Sequence, residues 1–127
     1  MDVIANVNWL ATGVGTIVAF LVGWAWYSPL LFGVKWAEGS RVDLGTADQM
    51  PVFAMASQLL ALLFLATVID ITRVSEDLLT AVLAILAVAT FNASGGAFVQ
   101  KTNYAITVDF FYIIACGAVM IACQGLL

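Results

Sequence analysis

Four long apolar runs, parted by the chain's few charged residues, dominate the pattern of this sequence. They cover residues of about 9–28, 51–69, 78–98 and 106–127, and a short apolar stretch from Leu30 to Trp36 follows the first. At a rise of 1.5 Å per residue, a run of 19 residues such as 51–69 makes about 28 Å of helix, enough to cross the hydrocarbon of a bilayer. Nothing alternates at period two, and open strands would leave backbone groups unpaired in lipid. The pattern therefore predicts an all-α membrane protein. Residues 1–127 form a single transmembrane domain, a small four-helix bundle with a short interfacial segment after the first helix and both termini on one face.

The boundaries carry their own signals. Pro29 disfavours helical geometry at Ser28 and ends the first helix. Pro51 suits the first turn of the second, where its missing N–H costs nothing. Ser75 is placed to cap the third, with Glu76 and Asp77 in its first turn. Trp9 at one end of the first helix, and Trp24, Trp26 and Tyr27 at the other, read as interfacial anchors. Lys35, Arg41 and Lys101 fall on one side and Arg73 alone on the other, which favours both termini outside the cytoplasm. Residues 1–8 lack a basic n-region, so no cleavable signal is expected. No internal repeat supports an inverted-repeat transporter within one chain.

Composition sharpens this picture by exclusion. Hydrophobic residues make up 64% of the 127 positions and charged residues 9%, more apolar surface than a soluble fold of this size can hide. Four basic residues and a net charge of −4 leave no footprint for nucleic acid. There is no His, no glycine-rich phosphate loop, no nucleophile elbow and no carboxylate cluster suited to a metal. The expected protein is not an enzyme and takes no cofactor or metal. Asp43 and Asp48 read as solvated charges. Cys116 and Cys123, seven apart in an apolar run, read as small packing residues.

Two constellations remain. Ala11, Gly15, Ala19 and Gly23 repeat every four residues along the first helix, a face that lets another helix approach closely. Such a stripe serves packing within the bundle or docking onto a different polypeptide, and the expectation adopted is the second. Ala118 and Ala122 repeat the spacing in the fourth helix, and the third ends in Asn92-Ala93-Ser94-Gly95-Gly96. The polar residues at membrane depth are Asn8, Thr12, Thr16, Ser57, Gln58, Thr90, Asn92 and Asp109, whose ordinary task is interhelical hydrogen bonding. Asp109 reads as the one acid inside an apolar stretch. A helix beginning near Thr107 makes it a first-turn dipole partner, the favoured reading; one beginning near Thr102 buries it about 10 Å deep. Tyr112 lies three residues on, on the same face. Gln58, Asn92, Asp109 and Tyr112 are the candidate polar membrane site.

Asn8-Trp9 and the stretch Trp26-Tyr27-Ser28-Pro29-Leu30-Leu31-Phe32-Gly33, followed by Trp36, resemble a family of small bacterial four-helix inner-membrane proteins classed as a domain of unknown function. In that family the last helix carries an Asn, two small residues and a Tyr, where this chain has Asp109-Phe110-Phe111-Tyr112. The resemblance implies the four-helix topology and a bacterial inner membrane but supplies no activity. Its shared stretch is expected to be a structural corner. Two functions are consistent with the whole. One is an accessory or scaffolding subunit that docks small-residue faces onto a larger membrane complex, energy-transducing assemblies being one such kind. The alternative is a small oligomeric transporter or channel using Asp109, Gln58 and Asn92. Expected partners are membrane lipids and other membrane subunits or copies of the chain, with no nucleic acid.

Overall fold

A computed structural model describes residues 5–41 and 52–127. Asp43, Asp48 and Pro51 lie outside the described residues. Within them the chain forms α1 (Trp9–Trp26), α2 (Gly33–Ser40), α3 (Val52–Val74), α4 (Leu78–Phe98) and α5 (Asn103–Leu126). All but α2 are long and apolar enough to cross a membrane, so the protein is a multi-pass membrane bundle.

Local chemistry explains most ends. Asn8 caps α1 by accepting the Ala11 N–H. Beyond Trp26 the chain turns sharply: the Phe32 N–H returns to the Trp26 carbonyl and the Gly33 N–H to that of Ser28. A Cβ at Gly33 would run into the Tyr27 and Ser28 carbonyls, so this corner needs glycine. The interfacial stretch read as Leu30 to Trp36 becomes helical later, from Gly33, and closes at Arg41 in the left-handed region.

Three features of the helix ends differ from expectation. α3 runs on past Ile69 to Val74, and the cap of α4 is Asp77, not Ser75. The Asp77 N–H bonds back to the Thr72 carbonyl, so Ser75 and Glu76 are spent in the turn that closes α3, with Glu76 at φ 54°. Asp77 then accepts the Thr80 N–H. α5 starts earlier than residue 106, at Asn103, because Thr102 caps it through the Ala105 N–H.

Of the four spans α5 is the most buried and α4 the least. Ala11, Gly15 and Ala19 are buried, and a Cβ at Gly15 lies 3.6 Å from Met120 on α5. At Gly23 a Cβ would sit 2.6 Å from the Tyr112 hydroxyl. The stripe on α1 therefore closes inside the chain. The expectation that it meets a different polypeptide is corrected: α5 already occupies the close approach that these small residues permit. Arg73 bonds both the Asn6 carbonyl and the Gln124 side chain, which brings Asn6, before α1, and the last turn of α5 to one face of the bundle.

Candidate functional site

The cap at Thr102 settles the depth of Asp109. Seven residues of helix separate them, about 10 Å along the axis. The favoured reading of Asp109 as a first-turn dipole partner is thus overturned. Asp109 is 4% exposed, and its carboxylate is the focus of three donors from three different parts of the chain. Oδ1 accepts the Tyr27 hydroxyl at 2.6 Å and the Trp36 indole N–H at 2.8 Å. Oδ2 accepts the Lys101 ammonium at 2.9 Å, in an ion pair with one partner in the α4–α5 turn and the other on α5. An acceptor-only group suits three converging donors, whereas an amide would turn its own N–H groups toward one of them.

This arrangement explains the aromatic corner. The Trp26 indole donates to the Val108 carbonyl at 3.1 Å, one residue before Asp109. Tyr27 meets the rings of Trp36 and Tyr112 edge-on, with centroids 4.8 and 5.4 Å apart, and Trp26 meets Phe32. Lys101 also lies 5.3 Å from the Trp36 ring centroid. Trp26 and Tyr27 are therefore not headgroup anchors but inward-facing donors. Trp9 and Trp24, each about half exposed, keep the anchoring geometry. Ser28 bonds the Ala25 carbonyl and Pro29 is exposed, so the corner fixes the direction in which α2 leaves α1.

The other candidates gather nearby. Asn92 on α4 donates to the Asp109 carbonyl at 3.3 Å. Tyr112 donates to the Ala19 carbonyl at 3.1 Å, tying α5 to α1, and the Gln58 side chain neighbours the same hydroxyl. Gln58, Asn92, Asp109 and Tyr112 thus sit around one end of the bundle.

A second buried carboxylate lies at the opposite end. Asp70 on α3 is 0% exposed; Oδ2 accepts the Thr12 hydroxyl at 2.6 Å and Oδ1 accepts the Asn8 N–H at 3.2 Å. Arg73, one helical turn on, pairs with it at 3.0 Å. Asp109 is not the only acid inside a span. The signal for Asp70 is its spacing: an acid and a base three apart mark a helical surface pair, so the helix extends beyond the last apolar residue. Thr12 and Asn8 belong to this lock, while Thr16 bonds back to the Thr12 carbonyl and Ser57 to that of Ala54.

Both carboxylates are engaged by hydrogen-bond donors, and each pairs with one cation. Among the described residues no group of His, Cys, Asp or Glu could hold a metal ion, and Cys116 and Cys123 are free thiols. The arrangement positions helices. A different feature is unsatisfied: on the outer face of α4, Leu83, Ala87, Thr90, Phe91 and Ser94 are exposed, and neither the Thr90 nor the Ser94 hydroxyl has a hydrogen bond among the described residues. By contrast the half-buried Thr67 and the exposed Thr107 bond back to their own helices. Ala118 and Ala122 on α5 are also exposed.

Neither the curated proteins nor the solved structures compared with this chain contain a match. A family model does match, that of a protein family of unknown function, DUF1761, over residues 10–126. That span takes in all four membrane helices, the aromatic corner and both buried carboxylates, and the chain belongs to the DUF1761 family.

Proposed function

We propose that this protein is a non-catalytic accessory or scaffolding subunit of a larger membrane complex, in a bacterial inner membrane, and that it docks through the outer face of α4. The observation that carries the reading is the pair of unbonded hydroxyls on that face. In hydrocarbon a hydroxyl without a partner is costly, and small residues with Ser or Thr are the usual composition of helix–helix contacts in lipid. Ala87 and Ser94 are seven residues apart, two turns along one face, with Thr90 and Phe91 between them. A partner helix that approaches there reaches both hydroxyls. The stripe on α1 has no part in this docking, since it is occupied by α5.

Native electrophoresis after extraction in mild detergent tests the reading. The chain should migrate well above its monomer mass, and Ala87→Leu with Ser94→Leu should release it as a monomer with unchanged thermal stability. Monomeric wild type, or a double variant that stays associated, contradicts it. The second reading, a small oligomeric transporter, draws support from the gathering of Gln58, Asn92 and Asp109 at one end. The Lys101 pair and two further donors already satisfy that carboxylate, which favours the first.

A further inference from the structure

At the Asp70 end a groove of about 350 Å³ opens between the α3–α4 turn and the end of α5. That volume lies at the small end of the roughly 300–1,000 Å³ typical of ligand sites. Its walls are apolar, built from Ile69, Leu78, Ala81 and Ile121. Its polar rim is made by Arg73 and Gln124, which bond each other, and by the consecutive Glu76 and Asp77 of the α3–α4 turn. Because the rim sits where two spans turn, it lies at headgroup level with the apolar walls reaching toward the hydrocarbon.

We propose that this groove seats one zwitterionic aminophospholipid, of the phosphatidylethanolamine type, with its phosphate on Arg73 and Gln124 and its ammonium on Glu76 and Asp77.

The donors are available. Arg73 commits Nε and Nη2 to Asp70, Gln124 and the Asn6 carbonyl, and its Nη1 makes no hydrogen bond among the described residues. Gln124 gives its Oε1 to Arg73, and its amide N–H groups make no bond among the described residues. Charge selects the headgroup. One cation stands beside Asp70, Glu76 and Asp77, so the rim as a whole is negative and disfavours a purely anionic lipid. A primary ammonium can donate to the two exposed carboxylates. A choline headgroup carries the same charge but has no N–H to donate. The proposal does not rest on docking through α4, which uses another face.

Native mass spectrometry of the full chain, extracted in mild detergent and exchanged into equal mixtures of phosphatidylethanolamine, phosphatidylcholine and phosphatidylglycerol, tests it. The ethanolamine lipid should be retained about tenfold over either other lipid, the ratio expected of one charge-assisted hydrogen bond. Glu76→Gln should bring the preference over choline to within about threefold while leaving thermal stability unchanged. Gly125 lines the groove and a Cβ there meets nothing within 4 Å, so Gly125→Phe should fill the groove and abolish retention without disturbing the fold. Equal retention of the three lipids overturns the proposal, as does preference for the glycerol lipid. Unchanged binding in a folded Gly125→Phe protein also overturns it. If that variant fails to fold, the headgroup ratios of wild type and Glu76→Gln decide alone.

Discussion

Replacing Asp109 by Ala removes one acceptor and strands three donors at once. The Lys101 ammonium loses its partner while its side chain is 22% exposed, and the Tyr27 hydroxyl and Trp36 indole lose theirs in a packed corner. Breaking a buried ion pair from one side costs about 3–5 kcal/mol, and access of Lys101 to water places this one at the low end. Hydrogen bonds between membrane helices average only about 0.6 kcal/mol each, so the two neutral donors add about 1 kcal/mol. The expected destabilisation is about 3–4 kcal/mol. Unfolding by a denaturing detergent, followed through tryptophan emission, measures it directly because Trp26 and Trp36 flank the carboxylate. Asp109→Asn keeps one acceptor and should cost about 2 kcal/mol. Adding Lys101→Met to Asp109→Ala removes the stranded charge and should recover about 1 kcal/mol or more. An Ala variant within about 1 kcal/mol of wild type, or a double variant as unstable as the sum of its parts, would refute the reasoning.

Three further outcomes follow from the same contacts. Thr12→Val removes the 2.6 Å bond to Asp70 and leaves Oδ2 buried, so the unfolding midpoint should fall by about 1–2 kcal/mol in equivalent stability; a neutral result contradicts the second lock. Gly15→Leu forces a side chain into a space where a Cβ already touches Met120, so the monomer itself should lose about 1–3 kcal/mol while staying associated; a stable but dissociated protein would return the stripe to an external role. The Thr80 hydroxyl and N–H hold the Asp77 carboxyl below its usual range, so its contribution is present above the ordinary aspartate value of about 3.9 and fades as pH falls through the lower, folded one. Asp77→Asn, which still caps but carries no charge, should lose that contribution at neutral pH and so flatten the acid limb of a thermal-unfolding series.

The spans were legible because a bilayer demands about 20 apolar residues at a time and the chain supplies them in four runs. Pro29 also read correctly, since its effect is local. What escaped was long-range or depended on competing local signals. Trp36 and Tyr27 lie 73 and 82 residues from Asp109, and no periodicity announces a pairing at that distance. Read as interfacial aromatics, Trp26 and Tyr27 obeyed a rule about headgroups until a buried carboxylate and carbonyl offered stronger partners. Asp70 looks like the end of a span because it is charged, although its pairing with Arg73 and Thr12 lets α3 carry both beyond the apolar run. Ser75 carries the local signal of a cap, but the backbone bond from Asp77 to Thr72 draws Ser75 into the turn and leaves Asp77 to cap α4. The stripe on α1 displayed its close approach plainly, but small residues do not say whose helix approaches.

Docking through α4 is tested most directly by a photo-crosslinking residue placed at Ala87, with Phe64 on the exposed face of α3 as the control, and irradiation in native membranes. The account predicts one discrete protein adduct from Ala87 and only lipid adducts from Phe64. Lipid adducts alone at Ala87, or the same protein adduct from both positions, would contradict it.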